Sequence, residues 1–159
     1  MQAILFILLF FLLGQLSAAE IIGKVVSVAD GDTITILDDM KIQHRVRLAR
    51  IDAPEKGQPY GAKAKQYLSS LIFNKSVKVV YRDKDRYKRI LGIVYCSDTD
   101  INLEMVKNGM AWHYSYYDDT ALYAEAEREA RSKKIGLWED PNPQSPYAFR
   151  RDKRQKRQK

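Results

Sequence analysis

The chain has 159 residues, a net charge of +7, one cysteine and two histidines. That length suits one domain, and a lone cysteine excludes an internal disulfide. Seven basic residues and one acid fall between Arg150 and Lys159, so the span from Glu20 to Phe149 is near neutral at +1. A basic end of this kind attracts nucleic acid or an anionic surface, or simply solvates the terminus. Anion recognition elsewhere in the chain has to be local and geometric.

Ala3 to Leu13 is an unbroken run of eleven apolar residues, followed by Gly14-Gln15-Leu16-Ser17-Ala18-Ala19. The run is too short for a membrane span and fits the apolar region of a signal peptide. Ser17 and Ala19 occupy the −3 and −1 positions of a cut before Glu20, and a cut after Ala18 fits nearly as well. Residues 1–19 therefore read as a signal peptide, 20–146 as the folded domain and 147–159 as a basic tail. This predicts a secreted or periplasmic protein that meets the membrane only during export. A retained N-terminal anchor and a buried helix are the alternatives.

Glu20 to Ala29 is rich in Ile and Val and predicts a strand. Asp30-Gly31-Asp32 is a turn signal, and Thr33 to Leu37 alternates as a return strand. After a second turn at Asp38-Asp39-Met40-Lys41, Ile42 to Ile51 predicts a third strand. Its alternation sends Arg45, Arg47 and Ala49 to one face and Val46, Leu48 and Arg50 to the other. Ala53, preceding Pro54, ends it. Tyr60, Ala64, Tyr67, Leu68, Leu71 and Ile72 recur at spacings of three and four, which predicts a helix over Gln58 to Phe73. Ser76 to Tyr81 and Lys88 to Cys96 predict strands four and five around a polar turn. A short helix over Asn102 to Asn108 exits at Gly109. A longer helix runs from a Thr120 cap to Ile135, with acids early and bases late, in keeping with the helix dipole. Pro141, Pro143 and Pro146 then end regular structure. Five strands with a helix between the third and fourth match the order of a five-stranded OB barrel, mainly β with three helices.

The chemistry centres on Arg47 to Glu55. Asp30, Asp32, Asp52 and Glu55 are the acidic candidates. Two or three carboxylates with backbone carbonyls and waters suit Ca²⁺, although no EF-hand loop is present. His44, His113 and Cys96 lack zinc-ligand spacing; the histidines read as packed or surface residues and Cys96 as a buried inert thiol. Asp32 and Asp52 are assigned to the metal and Glu55 to the attacking water, as base or orienting group. Arg47 and Arg89 are the candidate phosphate clamp, because guanidinium forks stabilise the charge that builds on phosphorus. Tyr114, Tyr116 and Tyr117 offer stacking faces for bases, with Tyr114 and Tyr117 the chosen pair. Lys84 is placed for a flanking phosphate, and Trp138 reads as a core plug.

Four pieces in order carry a family resemblance. They are Val28-Ala29-Asp30-Gly31-Asp32-Thr33, Arg47 through Glu55, Asp85-Arg86-Tyr87-Lys88-Arg89, and Asn102-Leu103 through Trp112. Together they span nearly all of Glu20 to Trp138, and the chain resembles the staphylococcal nuclease-like family, the thermonucleases. The resemblance implies an OB-type barrel and a Ca²⁺-dependent endonuclease acting on DNA and RNA. It implies that water attacks phosphorus and the 5′-oxygen leaves, giving 3′-phosphate ends. It assigns Asp32 and Asp52 as metal carboxylates, the Ala53 carbonyl as a further ligand, and Asp30 as an acid behind them. Arg47, Arg89 and Glu55 keep the roles given above. Ala53 departs from the threonine of the staphylococcal enzyme, which implies tuning of the site. A monomer with no stable protein partner is expected. A non-catalytic single-strand binding module, with no use for Glu55 beside Asp32 and Asp52, is the main competing reading; an adaptor domain tethered by its N-terminus is the other.

Overall fold

The computed structural model describes residues 18–158. The signal-peptide reading falls almost wholly on residues 1–17, which lie outside the described residues. Among the described residues no helix is long and apolar enough to cross a membrane.

The first strand, β1 (Ala19–Asp30), is long enough to serve two neighbours. Its first half pairs antiparallel with β5 (Ser76–Lys84), from Ala19 opposite Tyr81 to Lys24 opposite Ser76. Its second half pairs with β2 (Thr33–Leu37), with irregularities between Val25 and Ser27 and between Val28 and Asp30. Bulges of this kind bend a strand and raise its twist, as a closing sheet requires. β2 pairs antiparallel with β3 (Gln43–Leu48), and β5 with β6 (Ile90–Cys96). A short parallel ladder then joins β3 to β6, with Val46 opposite Ile90, Arg47 opposite Leu91 and Leu48 opposite Gly92. That ladder closes five strands into a barrel. Gly92 lets β6 lie close against β5: a Cβ there would lie 2.6 Å from Cγ1 of Val79. The expected five-stranded OB barrel is observed.

Smaller pairings finish the sheet structure. β4 (Ile51–Asp52) pairs with β8 (Trp112–His113), and β7 (Thr99–Asp100) with the end of β6. The two-residue β8 gives regular pairing to part of a segment expected to be irregular.

Val25, Ile34, Ile36, Val46, Leu48, Val79 and Val94 fill the barrel and are fully buried. Helix α1 (Gly61–Ile72) closes one end by burying Ala64, Leu68 and Ile72, a repeat of four residues along one face. It begins three residues later than its periodicity predicts, because Tyr60 at its N-cap is left-handed with φ 66°. Helix α2 (Ile101–Lys107) starts where the Asp100 side chain accepts the Leu103 amide at 2.9 Å. Helix α3 (Ala121–Ser132) buries Tyr123, whose hydroxyl donates to Asp100 Oδ2 at 2.8 Å. Trp138 is buried with Leu137 and Ala130 in a smaller cluster, as the plug reading expects. Arg131 lies 4.9 Å from the ring centre of Trp112 and 4.1 Å from that of Trp138. Cys96 is only half-buried, packed against the core edge, which corrects the fully buried thiol.

The basic tail is also ordered. Residues Pro146–Lys156 form helix α4, where Pro141, Pro143 and Pro146 predict an end to regular structure. Pro146 sits in the first turn, where it loses no hydrogen bond, and Ser145 Oγ accepts the Ala148 amide at 3.2 Å. The prolines thus introduce a helix.

Candidate active site

The turn between β1 and β2 forms the first wall. Asp30 and Thr33 pair across it. A Cβ at Gly31 would lie 2.7 Å from Cβ of Ala53 and 2.8 Å from Cβ of Ala64, so the turn can seat directly on these residues only as glycine. Asp32 is thereby buried. Its Oδ2 accepts the Ala53 amide at 2.8 Å and faces Arg47 Nη2 at 3.0 Å, while its Oδ1 accepts the Thr33 hydroxyl at 3.1 Å. Asp30 Oδ1 accepts the Asp32 amide at 3.1 Å. Burial pushes the Asp32 carboxyl up to about 7; Arg47 opposes that rise, and the charges of Asp30 and Asp52 add to it.

The end of β3 forms the second wall. The strand stops at Leu48, and Arg50 adopts φ 67°, so the chain kinks before re-entering as β4. Arg50 therefore does not share the face of Val46 and Leu48, as an unbroken strand would require. It pairs with Asp118 Oδ1 at 3.3 Å and lies 5.4 Å from the Tyr123 ring centre. Asn102, fully buried on α2, ties this kink to the barrel. Its Nδ2 donates to the carbonyls of Ala49 at 2.9 Å and Gly92 at 3.0 Å, and its Oδ1 accepts the Val94 amide at 3.1 Å. Arg47 is thus held at the rim. One of its nitrogens donates to the Leu48 carbonyl at 2.6 Å; the other meets Asp32 Oδ2 at 3.0 Å and Asp52 Oδ1 at 3.1 Å. Asp32 and Asp52, twenty residues apart in sequence, face a single guanidinium nitrogen.

Arg89 approaches from the turn between β5 and β6. Asp85 organises that turn: its Oδ1 accepts the amides of Tyr87 at 2.8 Å and Arg89 at 3.0 Å, and its Oδ2 accepts Arg89 Nε at 2.7 Å. Burial raises the Asp85 carboxyl, but the Arg89 amide and side chain and the Tyr87 amide outweigh it and hold the group below the usual carboxylate range. Arg89 Nη1 reaches Thr33 Oγ1 at 3.4 Å. A polar chain therefore runs from Arg89 through Thr33 to Asp32.

Glu55 follows Pro54 on a loop held by Gln58. Gln58 Oε1 accepts the Glu55 amide at 2.9 Å, and its Nε2 donates to the Gln144 carbonyl at 2.7 Å. Glu55 meets Asp52 through a residue of the basic tail. Arg150, on α4, donates from Nη1 to Glu55 Oε1 at 2.7 Å and Asp52 Oδ1 at 3.1 Å, and from Nη2 to Asp52 Oδ2 at 2.9 Å. The charge-assisted bonds to Asp52 and Glu55 hold Arg150 protonated well above the ordinary arginine range against the opposing effect of burial. Nothing in the sequence marks Arg150 apart from the neighbouring basic residues.

A family model described as staphylococcal nuclease homologue matches residues 45–140. An uncharacterized endonuclease of Haemophilus influenzae is 45% identical over 148 residues, covering 93% of this chain and 83% of that protein. A micrococcal nuclease of Shigella flexneri is 46% identical over 145 residues, covering 84% and 82%. An uncharacterized endonuclease of Escherichia coli is 43% identical over 148 residues, covering 92% and 96%. This chain belongs to the staphylococcal nuclease family. The relationship supports a nuclease, a phosphodiester hydrolase acting on nucleic acid. The matched span holds Arg47, Asp52, Glu55 and Arg89; the turn carrying Asp32 precedes it, and α4 with Arg150 follows it.

Tyr114 is half-buried beside the site, its amide donating to the Arg50 carbonyl at 2.7 Å. Burial and the Asp52 charge raise its phenol above the ordinary value. Tyr117 stacks edge-on against Tyr114 at 5.0 Å and against Tyr116 at 4.7 Å; Tyr116 and Tyr117 are both exposed. Lys84 is exposed at the end of β5, outside the polar contacts of the acidic cluster. His113 and His44 each pair with a carboxylate at 2.8 Å, Asp118 and Asp38 respectively, and neither joins the site.

Among the described residues no three His, Cys, Asp or Glu side chains cluster closely enough to hold a metal by themselves. Asp32 and Asp52 nonetheless form a hard-oxygen pair, which suits Ca²⁺ when backbone carbonyls and waters complete the shell. The positive charge they demand is met by Arg47 and Arg150. By type, these hard oxygen donors suit a divalent cation whose other ligands are backbone carbonyls and waters, once Arg150 yields its place on Asp52.

Proposed function

We propose that this nuclease is a Ca²⁺-dependent endonuclease that hydrolyses DNA and RNA to products with 3′-phosphate ends. The observation that carries this reading is the meeting of Asp32 and Asp52 on one Arg47 nitrogen. Asp32 and Asp52 would hold the cation, with the Ala53 carbonyl as a further ligand. A bound Ca²⁺ supplies charge stabilisation at the phosphoryl oxygens and a positioned water.

The protein's own groups do the rest. Glu55, on a loop fixed by Gln58, orients the attacking water or accepts its proton. Water oxygen forms a bond to phosphorus as the bond to the 5′-oxygen breaks, and the departing oxygen gains a proton from solvent. Arg47 and Arg89 flank Asp32 from two sides and donate to the phosphoryl oxygens as negative charge builds there. Lys84, Tyr114 and Tyr117 extend the surface toward flanking phosphates and bases. We also propose that the protein is exported, secreted or periplasmic, and acts as a monomer.

The test is degradation of single-stranded DNA and of RNA with Ca²⁺ and with excess chelator, followed by analysis of product ends. Cleavage that needs Ca²⁺ and leaves 3′-phosphates is expected. Glu55→Gln should lower turnover by a factor of about 10²–10⁴ while binding is largely kept. Binding without cleavage by the folded wild-type protein would favour a non-catalytic module. Cleavage that ignores chelator would remove the metal role of Asp32 and Asp52.

A further inference from the structure

Arg150 puts a cation on the carboxylates that the metal reading requires. It bonds both oxygens of Asp52 and one of Glu55, at 2.9, 3.1 and 2.7 Å. Asp52 is almost fully enclosed, with its side chain 6% exposed, whereas Arg150 remains 33% exposed. A guanidinium on both Asp52 oxygens leaves that carboxylate little coordinating capacity for a metal at normal Ca²⁺–oxygen distances. Two cations on one enclosed carboxylate also repel each other strongly.

The helix carrying Arg150 is loosely held. Among α4 residues only Pro146 is buried. Beyond Arg150, the named ties are Gln144 Nε2 to Asp152 Oδ2 at 2.9 Å and the Gln58 bond to the Gln144 carbonyl. A cavity of about 110 Å³, lined in part by Trp112, Pro54, Pro143 and Gln144, lies beside the linker into the helix. Arg150 is thus the main polar anchor of a helix whose residues other than Pro146 are half-buried or exposed.

We propose that Arg150 is a resident counter-cation of the active site, which a divalent cation displaces, undocking α4 as it binds. This rests on the metal reading given above. In the docked state Asp52 and Glu55 are neutralised and the metal position is closed. In the open state the basic residues of α4 stand free beside the site. Binding of the cation and docking of α4 are therefore mutually exclusive, and docking lowers the apparent cation affinity by the fraction of time the helix is seated.

The experiment is calorimetric titration of Ca²⁺ into the protein without nucleic acid, with hydrogen exchange of α4 amides recorded with and without Ca²⁺. Wild type, Arg150→Gln and Arg150→Lys are compared, with thermal unfolding to show that each is folded. For a helix docked about nine-tenths of the time, Arg150→Gln binds Ca²⁺ about tenfold more tightly than wild type. Arg150→Lys, with one ammonium in place of a fork, falls between them. In wild type Ca²⁺ lowers α4 protection, and in Arg150→Gln protection is low throughout. Equal or weaker Ca²⁺ binding by Arg150→Gln, or α4 protection that ignores Ca²⁺ in wild type, overturns the proposal while leaving the metal reading intact. No Ca²⁺ binding by any folded protein overturns both.

Discussion

Asn102 is the position at which fold and site are most directly coupled. Replacing it with alanine removes three hydrogen bonds that tie the Arg47–Asp52 kink to strand β6. The Gly92 carbonyl keeps a partner, because it also accepts the Ala49 amide at 2.8 Å. The Val94 amide and the Ala49 carbonyl lose their Asn102 partner. At about 1–3 kcal/mol for each buried group left unmatched, Asn102→Ala should cost about 2–6 kcal/mol. For a domain of this size that is a fall in Tm of about 10 °C near the middle of the range. Asn102→Asp sharpens the test. It still accepts the Val94 amide but turns a carboxylate toward two carbonyls, so it should be at least as damaging as alanine. Urea and thermal unfolding, with intact mass to confirm each protein, provide the assay. A Tm shift below about 3 °C for alanine, or a milder effect for aspartate than for alanine, would refute the bridging role. Turnover should also fall at temperatures where the variants remain folded, because Arg47 is two residues from the released carbonyl.

Two further predictions concern charge. Asp85→Asn removes the carboxylate that fixes Arg89 Nε, so turnover should fall by about 10–100-fold with little change in substrate affinity. In an Arg89→Ala background the same change should have almost no further effect on turnover; full additivity would show that Asp85 acts independently of Arg89. The second prediction follows from Asp32. Its carboxyl is raised from the ordinary value to about 7, so the metal-free folded protein holds a proton there that the unfolded chain has released. Metal-free stability should therefore fall as pH rises from about 4 to about 7, by up to about 1.4 kcal/mol per pH unit. On the proposed metal role of Asp32, protons compete with Ca²⁺ over the same interval, and its affinity should rise up to about tenfold per pH unit toward pH 7. Asp32→Asn should remove this contribution to the stability slope, as read from urea unfolding in chelator at several pH values. An unchanged slope would mean that Asp32 is not the group responsible.

Much of this molecule is dictated locally. Alternating Ile, Val and Thr, the Asp30-Gly31-Asp32 turn and the spacing of Ala64, Leu68 and Ile72 specify strands and a helix through steric and burial preferences of near neighbours. The left-handed exit at Gly109 follows from the same short-range geometry. The residue types around Arg47, Asp52 and Glu55 name the chemistry without a fold. The limits of local reasoning appear where contacts are distant in sequence. The kink at Arg50 is held by Asn102 and Asp118, and nothing near Arg50 announces it. The parallel β3–β6 ladder, which brings Arg47 and Arg89 to one rim, joins segments separated by β4, α1 and β5. Arg150 was indistinguishable from its neighbours as one positive charge in a run of them. Only a folded chain that seats α4 against Asp52 and Glu55 singles it out, because an ion pair depends on distance in space and a charge count along the chain carries none.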